Sequence, residues 1–542
     1  MKKISIFTIS ALALLSMVSC VKDLNTVPLN DYDRTSEVAY VDQNSYLSGL
    51  AYINAYYSFV SQNSAGASDL SFDDAGQSEL LRQWLNMNDL CTGALDIGWG
   101  DSYISDIEAH TWTNADNNAF IAVYTRCLKG IALVNEFLLQ TEDQKLEVRG
   151  HTAFKDVIAQ YRAEAKFHRA MFYYILMDLF GNPPFALEEN IGGKLPEQIK
   201  RADLFEWLEG QLLELVADDS AMPAKGAVPY PRPNKDAAKA LLARMYLNAE
   251  VYTGTARWTD AKQFAKEVID NGYSLHPNYQ ELFMQDNGQT CANDEFIFAI
   301  EYDAVKAQSW GGTTTLCSGA FEDEKMNPAV AAYLGITEVP YVSPEKWNGY
   351  HLNPAFVEEN FVLNGVTWDG TGLGYDPETS DHRLLLFNGG EQDYKASIST
   401  SGWRCWKWAC VYSDGTVFQR GAEGGNEDWK LSNADFAIFR LPEMYYIYAE
   451  ADARLNGGNT TNVAALGYIT ALRKRAGLPA PTGSMSVAYI LKDKAAEYLW
   501  EGQRRQDEIR MGTFDSDKNR WIYPILESDI SANGNLTQNP GY

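Results

Sequence analysis

The apolar residues of this chain recur every three to four positions over long segments. This spacing places them on one face of an α-helix, where they can pack on a core. The pattern predicts helices over residues 43–60, 118–139, 154–180, 202–216, 235–249, 260–270, 434–455, 461–476 and 487–511. Helices should therefore form most of the scaffold.

Some of these helices form pairs joined by short turns. The clearest pair is DAAKALLARMYLNA at 236–249 followed by WTDAKQFAKEVID at 258–270, with Gly272 as the expected C-terminal cap. Small alanines on facing turns let two helices approach closely, as in tetratricopeptide-type repeats. A second pair turns at the Asn456-Gly-Gly-Asn459 sequence. We predict an all-α scaffold of tetratricopeptide-like pairs, which stack to leave one face for partners.

Residues 272–425 interrupt the helical pattern. Short apolar runs such as 295–300 predict strands among many Gly, Asn, Asp, Trp and Tyr residues. Structureless loops longer than about 15 residues are uncommon in compact domains, and loops of this length often carry function. We therefore expect a long irregular, partly β insertion, and we expect function there and in the loop at 69–113.

The N-terminus has the parts of a secretory signal. Met1-Lys2-Lys3 precedes an apolar run at 4–18, and the sequence LSMVSC ends at Cys20. It resembles a lipoprotein cleavage box, so we expect a signal peptide at 1–19 and lipidation of Cys20. Several acyl chains would hold the mature protein on a membrane. The alternative is an ordinary secreted protein in which Cys20 has no role.

Composition excludes several classes of function. The formal net charge of −27 makes nucleic acid an unsuitable partner. The sequence has no GxSxG, HExxH, phosphate-binding or dinucleotide motif, and no Cys/His spacing typical of zinc. We expect no enzyme activity and no cofactor, and we leave calcium open. Cys405 and Cys410 lie close enough in sequence to bridge, although two buried thiols are the simpler interpretation.

Aromatic residues are concentrated in the two loop-rich regions. Indole and phenol rings stack on the apolar C–H faces of sugars, while Asp, Asn and Arg bond the hydroxyls. The alternative is that most of these rings form the core of the insertion, because Trp is usually buried. The residues concerned are Trp84, Trp99, Trp112, Trp310, Trp347, Tyr350, Trp368, Tyr375, Trp403, Trp406 and Trp408.

Several motifs in order resemble the SusD/RagB family of surface nutrient-binding lipoproteins, almost from end to end. They are CVKDLNTVP at 20–28, YRAEAKFHRAMFYYILMDLFGNPP at 161–184, RLPEMYYIYAEA at 440–451, RKRAGL at 473–478, EGQRRQDEIR at 501–510, YPI at 523–525 and QNPGY at 538–542.

This resemblance implies a lipid-anchored protein of the outer membrane that faces the cell surface. Such proteins cap a SusC-like TonB-dependent transporter, capture oligosaccharides or polysaccharides and pass them to the barrel without chemistry. We expect one SusD-like domain at 20–542 after the signal peptide at 1–19. The helical scaffold should span about 40–65, 115–275 and 430–515, and the ligand-binding part about 66–114 and 276–429.

The first binding segment, DAGQSELLRQWLNMNDL at 74–90, is similar to the starch-binding branch. The match implies that Asp74 and Arg82 bond sugar hydroxyls. Trp99 in IGWGD at 97–101 would be a stacking ring with Asp101 beside it, and Tyr302 and Trp347 would complete the aromatic arc.

Two other functions compete with the capture of starch, malto-oligosaccharides or another neutral polysaccharide. One branch of the family serves peptide importers, so a RagB-like peptide-capturing protein is the alternative. An unrecognised glycosidase ranks last, because no pair of carboxylates is marked among the 72 acidic residues. The acidic surface favours a neutral sugar over a polyanion.

Overall fold

The computed structural model describes residues 39–542, except 62–63, 191–193, 321–327, 334, 338–344, 346, 369–372, 377, 385, 389–402, 406 and 417–430. The predicted signal peptide at 1–19 and Cys20 therefore lie outside the described residues, as does Trp406.

Helices dominate the described chain. In order they are α1 (Gln43–Ala55), α2 (Leu80–Asp89), α3 (Ser102–Glu108), α4 (Asn118–Gln140), α5 (Asp143–Val148), α6 (Lys155–Phe180), α7 (Arg201–Val216), α8 (Lys235–Leu247), α9 (Ala249–Thr253), α10 (Trp258–Ile269), α11 (Asn287–Thr290), α12 (Gly312–Ser318), α13 (Pro328–Tyr333), α14 (Pro354–Asn360), α15 (Leu441–Leu455), α16 (Val463–Arg475), α17 (Val487–Glu497), α18 (Arg504–Met511) and α19 (Glu527–Ala532).

The strands are short. They are β1 (Leu95–Ile97), β2 (Pro184–Phe185), β3 (Glu197–Gln198), β4 (Phe296–Ile300), β5 (Tyr350–Leu352), β6 (Val366–Trp368), β7 (Leu373–Tyr375), β8 (Leu386–Asn388), β9 (Trp403–Cys405), β10 (Phe436–Arg440), β11 (Asn459–Thr460) and β12 (Met485–Ser486). The largest described sheet is antiparallel and has the order β1-β5-β9-β8.

The scaffold confirms the predicted class of fold. Successive long helices pack in series, with α4 on α6, α6 on α7, α7 on α8 and α8 on α10. In the pair α8 and α10, the alanines Ala237, Ala240, Ala261 and Ala265 are fully buried. Their small side chains let the two helices approach closely, as the sequence pattern predicted. The scaffold is therefore built of tetratricopeptide-like helix pairs.

The insertion leaves and rejoins the scaffold at adjacent helices. Helix α10, which precedes it, packs against α15, which follows it. Where the insertion begins and ends, strand β4 pairs antiparallel with strand β10. The insertion is thus attached between two helices that are neighbours in space.

Two predicted helices are interrupted in the structure. The segment 434–455 begins with strand β10, and only α15 is helical. The segment 487–511 divides into α17 and α18, and between them Trp500 and Gly502 have positive φ angles of 58° and 72°. A Cβ on Gly502 would lie 2.4 Å from the Trp84 ring. The close packing of this turn on Trp84 ends the helix where the apolar pattern continues.

The described residues bear on two further sequence features, the possible membrane-spanning segments and the cysteines. Of these residues, no helix combines the length and hydropathy that crossing a bilayer requires. Cys91, Cys127, Cys291 and Cys317 are buried free thiols. The side chain of Cys405 lies outside the described part of the chain, so two buried thiols at Cys405 and Cys410 remain the prediction and a bridge between them the alternative.

A buried ion cluster joins the base of the insertion to the C-terminal helices. The Arg440 guanidinium donates to Glu501 at 2.8 Å, to Glu497 at 2.6 Å and to Glu295 at 3.1 Å. Arg475 donates to the same Glu295 and Glu497 at 2.5 and 2.6 Å. Burial raises the pKa of Glu497, but the nearby arginines outweigh it and lower the pKa to about 2. The side chains of these five residues, the Arg440 cluster, are at most 5% exposed.

We expect Arg440→Met to destabilise the protein by about 3–5 kcal/mol, because it leaves buried carboxylates without their central cation. Chemical denaturation followed by circular dichroism measures this change in the free energy of unfolding.

Lys266→Met is the matched control. It removes the exposed ion pair between Lys266 and Asp270 on the same scaffold. Exposed pairs contribute little, so the loss should stay below about 1 kcal/mol. Equal losses for the two variants would contradict a special role for the Arg440 cluster.

Candidate functional site

An open cavity of about 650 Å³ lies where the first loop-rich region meets the insertion. It is large enough for a few sugar rings or a short peptide. Its lining combines three tryptophans with polar and charged side chains. The lining residues are Asp74, Gln77, Arg82, Trp99, Asp101, Trp310, Glu345 and Trp347.

Two of the tryptophans are brought together by neighbouring strands. Strands β1 and β5 pair with Ile97 opposite Tyr350, and the Gly98 N–H extends the ladder to the Gly349 carbonyl at 2.7 Å. Trp99 follows β1 and Trp347 precedes β5, so antiparallel pairing places both at the same end of the sheet. The Trp99 indole N–H donates to the Trp347 carbonyl at 2.7 Å.

Gly349 is required by this arrangement. A Cβ at this position would lie 2.0 Å from the Trp99 ring, closer than side-chain contacts allow. The Trp99 ring also packs edge-on against Tyr350 at a centroid distance of 5.0 Å. Trp99 is therefore half-buried and fixed from beneath, with part of its ring facing the cavity.

The polar side of the cavity is built at the start of α2. Asp74 caps a 3₁₀ turn at Ala75–Ser78 by accepting the Gly76 N–H at 2.9 Å. The Arg82 guanidinium lies 3.7 Å from the Asp74 carboxylate and 5.6 Å from the centre of the Trp347 ring. Arg82 is 6% exposed, and its Nε has no partner among the described residues. The cavity thus offers a guanidinium held in place between a carboxylate and an indole.

A buried carboxylate beneath the cavity links its two halves. Glu79 accepts the backbone N–H groups of Arg82 at 2.6 Å and Gly312 at 3.0 Å. It also accepts the Tyr302 hydroxyl at 2.5 Å. Burial raises the pKa of Glu79 to about 7, although these hydrogen bonds act in the opposite direction. Glu79 therefore joins the start of α2 to the turn that follows Trp310.

Trp310 forms the third aromatic wall. Its ring centre lies 6.2 Å from that of Trp347, and the two planes meet at 44°. Its carbonyl passes so close to Gly76 that a Cβ there would lie 2.8 Å away. Asp101, at the start of α3, faces the cavity and makes no side-chain capping bond.

The lower face of α2 is fixed to the sheet. The Tyr350 hydroxyl donates to Asn86 at 2.7 Å, and the Asn86 amide donates to Gln83 at 2.9 Å. All three side chains are buried. The helix that carries Arg82 and the strand that follows Trp347 are therefore linked directly by buried hydrogen bonds.

The structure brings five of the six predicted binding residues together at this cavity: Asp74, Arg82, Trp99, Asp101 and Trp347. The prediction that Tyr302 is a stacking ring is wrong. Tyr302 is 4% exposed, and its hydroxyl bonds Glu79 beneath the cavity. Its role is to support the site from below.

Sequence reasoning missed Gln77, Trp310 and Glu345 as lining residues. Trp310 was one of the loop aromatics, but the sequence does not show whether such a ring is buried in the core or lines a cavity. Other members of that group are core residues, as the alternative interpretation held: Trp84, Trp112, Tyr350 and Trp408. Among the described residues, no group of His, Cys, Asp or Glu has the geometry of a metal site.

Comparisons with known proteins agree with this architecture. A family model described as "SusD family" matches residues 419–520, and one described as "Starch-binding associating with outer membrane" matches residues 70–247. The chain is 29% identical to the starch-binding protein SusD of Bacteroides thetaiotaomicron, over 99% of this chain and 98% of that protein.

Solved structures show the same fold. A laminarin-binding SusD-like protein has a TM-score of 0.66 at 19% identity and covers 93% of this chain and 100% of its own. Surface glycan-binding protein A from Bacteroides thetaiotaomicron, in complex with laminarihexaose, has a TM-score of 0.64 at 17% identity, over 92% of this chain and 99% of its own. With the two family models and the full-length relative, these matches lead to one conclusion: the chain is similar to the SusD family over nearly its whole length.

Proposed function

We propose that this protein binds a neutral glycan in the open cavity and does not cleave it. The observation that carries the proposal is the arrangement of Trp99, Trp310 and Trp347 around one cavity with the Asp74–Arg82 pair. Indole faces match the apolar faces of pyranose rings, and charged groups give strong hydrogen bonds to hydroxyls. Relatives named for starch and laminarin binding support the same class of ligand.

The angle between the tryptophans favours a curved glucan. Because Trp310 and Trp347 are inclined at 44°, one flat ribbon cannot lie against both faces. A chain that turns between successive residues can stack on both, as α-1,4 and β-1,3 glucans do. We therefore propose malto- or laminari-oligosaccharides as the ligand, in preference to a straight β-1,4 chain.

The polar groups fix the orientation of the sugar. Arg82 is held between Asp74 and Trp347, so its remaining N–H groups lose little conformational freedom on binding. Asp101 lines the same cavity and supplies further acceptors. The net charge of −27 disfavours acidic polysaccharides.

We further propose that lipidated Cys20 holds the 20–542 domain on the outer membrane after removal of residues 1–19. There it would deliver the glycan to a SusC-like TonB-dependent transporter, without a cofactor. The lipoprotein-type sequence before Cys20 and the family model described as associating with the outer membrane support this location.

Affinity electrophoresis and calorimetry test the ligand class with starch, malto-oligosaccharide, laminarihexaose, xyloglucan, fructan and a peptide mixture. Binding of a glucan without new reducing ends supports the proposal. Tight peptide binding without glycan retention would instead establish the peptide-capturing alternative. Release of reducing sugar would identify a glycosidase.

Trp347→Ala should weaken glucan binding by about 1–3 kcal/mol, because it removes a stacking face. Trp347 is a better probe than Trp99, whose ring also supports Gly349 and Tyr350. Calorimetry of the folded variant gives the change in affinity. Trp258→Ala removes a half-buried indole from α10, outside the cavity, and should bind as the wild type does. Similar affinities for both variants would exclude Trp347 as a platform.

Glu79→Gln should weaken glucan binding by about 1 kcal/mol, although Glu79 is buried beneath the cavity. A carboxamide has one accepting oxygen, so it loses either the Tyr302 hydroxyl or the N–H groups of Arg82 and Gly312. Arg82 and Trp310 would then be held less firmly. The measurement is calorimetry beside a denaturation curve.

Glu209→Gln is the matched control for Glu79→Gln. Glu209 also accepts a tyrosine hydroxyl, from Tyr246 at 2.7 Å, but it lies on α7 of the scaffold. Its replacement should leave glucan affinity unchanged. If the Glu79 variant also kept full affinity, the proposed support of Arg82 would be refuted.

Cys20→Ala should release a folded, glucan-binding protein from the membrane and abolish glucan uptake by cells. Cell fractionation and growth on the bound glucan provide the two readouts. Growth equal to that of the wild type would show that the tether is dispensable.

A further inference from the structure

Gln77 is the one described lining residue of the open cavity whose side chain can both donate and accept hydrogen bonds. A carboxamide carries an N–H₂ donor beside a carbonyl acceptor, whereas carboxylates only accept, and guanidinium and indole groups only donate. The other described lining residues are three carboxylates, one arginine and three tryptophans. A sugar hydroxyl also both donates and accepts, so Gln77 can match hydroxyls in both roles with one side chain.

The backbone of Gln77 is held at both of its hydrogen-bonding groups. Its N–H donates to the Asp74 carbonyl at 3.1 Å, and its carbonyl accepts the Gln83 side-chain amide at 2.9 Å. Gln83 itself is fully buried. Neither bond uses the Gln77 side chain, so the turn presents the carboxamide from a fixed position and little freedom is lost on binding.

The carboxamide of Gln77 is available to a ligand. The side chain is half-buried and makes no hydrogen bond with another described residue. Neither of its polar atoms is among the enclosed unpaired groups of the described chain, which include the Nε of Arg82. A molecule in the cavity can therefore reach both the donor and the acceptor of Gln77.

Gln77 lies beside the Trp310 wall of the open cavity. The preceding Gly76 packs so closely on the Trp310 backbone that a Cβ would lie 2.8 Å from the Trp310 carbonyl oxygen. Consecutive Cα atoms are about 3.8 Å apart, so Gln77 stands next to this contact. Both side chains line the same cavity. A sugar ring that stacks on Trp310 would therefore bring its hydroxyl edge towards Gln77.

We propose that Gln77 is a specificity-determining residue of the open cavity. Its carboxamide binds two adjacent hydroxyls of the sugar ring that stacks on Trp310, donating to one oxygen and accepting the proton of the other. This inference rests on the proposed binding of glucans and adds the residue that distinguishes one linkage from another.

The linkage of a glucan decides whether it offers such a pair of hydroxyls. Within a 1,4-linked chain, the hydroxyls on C2 and C3 of each ring are both free and adjacent. Within a 1,3-linked chain, C3 carries the linkage, so the free hydroxyls on C2 and C4 are not neighbours. A polar group that loses one of its partners lowers the affinity. Gln77 therefore favours a malto-oligosaccharide over a laminari-oligosaccharide.

Calorimetry with maltohexaose and laminarihexaose tests the proposal. Gln77→Leu should weaken maltohexaose binding about three- to tenfold, because it removes one or two neutral hydrogen bonds. Laminarihexaose binding should weaken less than about twofold, since at most one of these bonds is lost. A denaturation curve shows that the variant folds.

Gln211→Leu is the matched control. Gln211 is a half-buried glutamine on α7, outside the cavity, and its side chain makes no hydrogen bond with another described residue. This variant should bind both glucans as the wild type does.

A double-mutant cycle with Trp310→Ala tests whether Gln77 and Trp310 contact the same sugar ring. In the Trp310→Ala background that ring is no longer held, so Gln77→Leu should cost less than about twofold in maltohexaose affinity. In the Trp347→Ala background the cost should remain about three- to tenfold.

Three results would overturn the proposal. The first is equal maltohexaose affinity of the folded Gln77→Leu and Gln211→Leu variants. The second is an equal loss for the two glucans, and the third is an undiminished loss in the Trp310→Ala background. In each case the wild type still binds glucan, so only this inference fails. A wild type that binds neither glucan would instead overturn the proposed function, and this inference with it.

Discussion

The structure depends on a buried charge balance at the point where the insertion rejoins the scaffold. Arg440 ends strand β10 and bonds three carboxylates: Glu295 precedes β4, Glu497 ends α17 and Glu501 lies in the turn after it. Lys407, inside the insertion, donates to the same Glu501 at 2.6 Å. Burying one of these charges without its partners would cost more free energy than its remaining interactions return. The distant segments that carry the charges are therefore buried as a group. The cluster therefore specifies how the insertion is attached.

That attachment continues to the open cavity through a series of hydrogen bonds. Asp435, next to β10, accepts the Tyr302 N–H at 2.9 Å, and the Tyr302 hydroxyl bonds Glu79. Glu79 in turn holds the backbone of Arg82. Every member of this series is buried, so water competes little for these bonds. These buried hydrogen bonds support the cavity from its inner side. Tyr302 contributes through its hydrogen bond to Glu79, although its own ring is buried.

The sequence predicted the scaffold well because its helices are long and their periodicity is clear. Helix α6 spans Lys155–Phe180 against a prediction of 154–180. Prediction failed where tertiary contacts override a local pattern. Residues 436–440 are apolar enough for a helix but pair with β4, and the turn at Trp500 and Gly502 exists because Trp84 packs there. Similarly, Leu80–Asp89 forms a buried helix within a region that looked like a loop.

The depth of an aromatic side chain was the main unknown at the site, and neighbouring glycines account for only part of it. The three tryptophans that line the cavity each have glycine within two positions: Gly98 and Gly100 at Trp99, Gly311 and Gly312 at Trp310, and Gly349 at Trp347. Trp84, Trp112 and Trp408 have no glycine that close, and all are buried. Trp500 is also buried although Gly502 lies two positions away, because that glycine packs on the Trp84 ring. Glycine lets backbone or rings approach where a Cβ would collide, as Gly349 does beneath Trp99 and Gly311 above Glu79. At Trp99 this close packing holds the ring from one side, while the ring still lines the cavity.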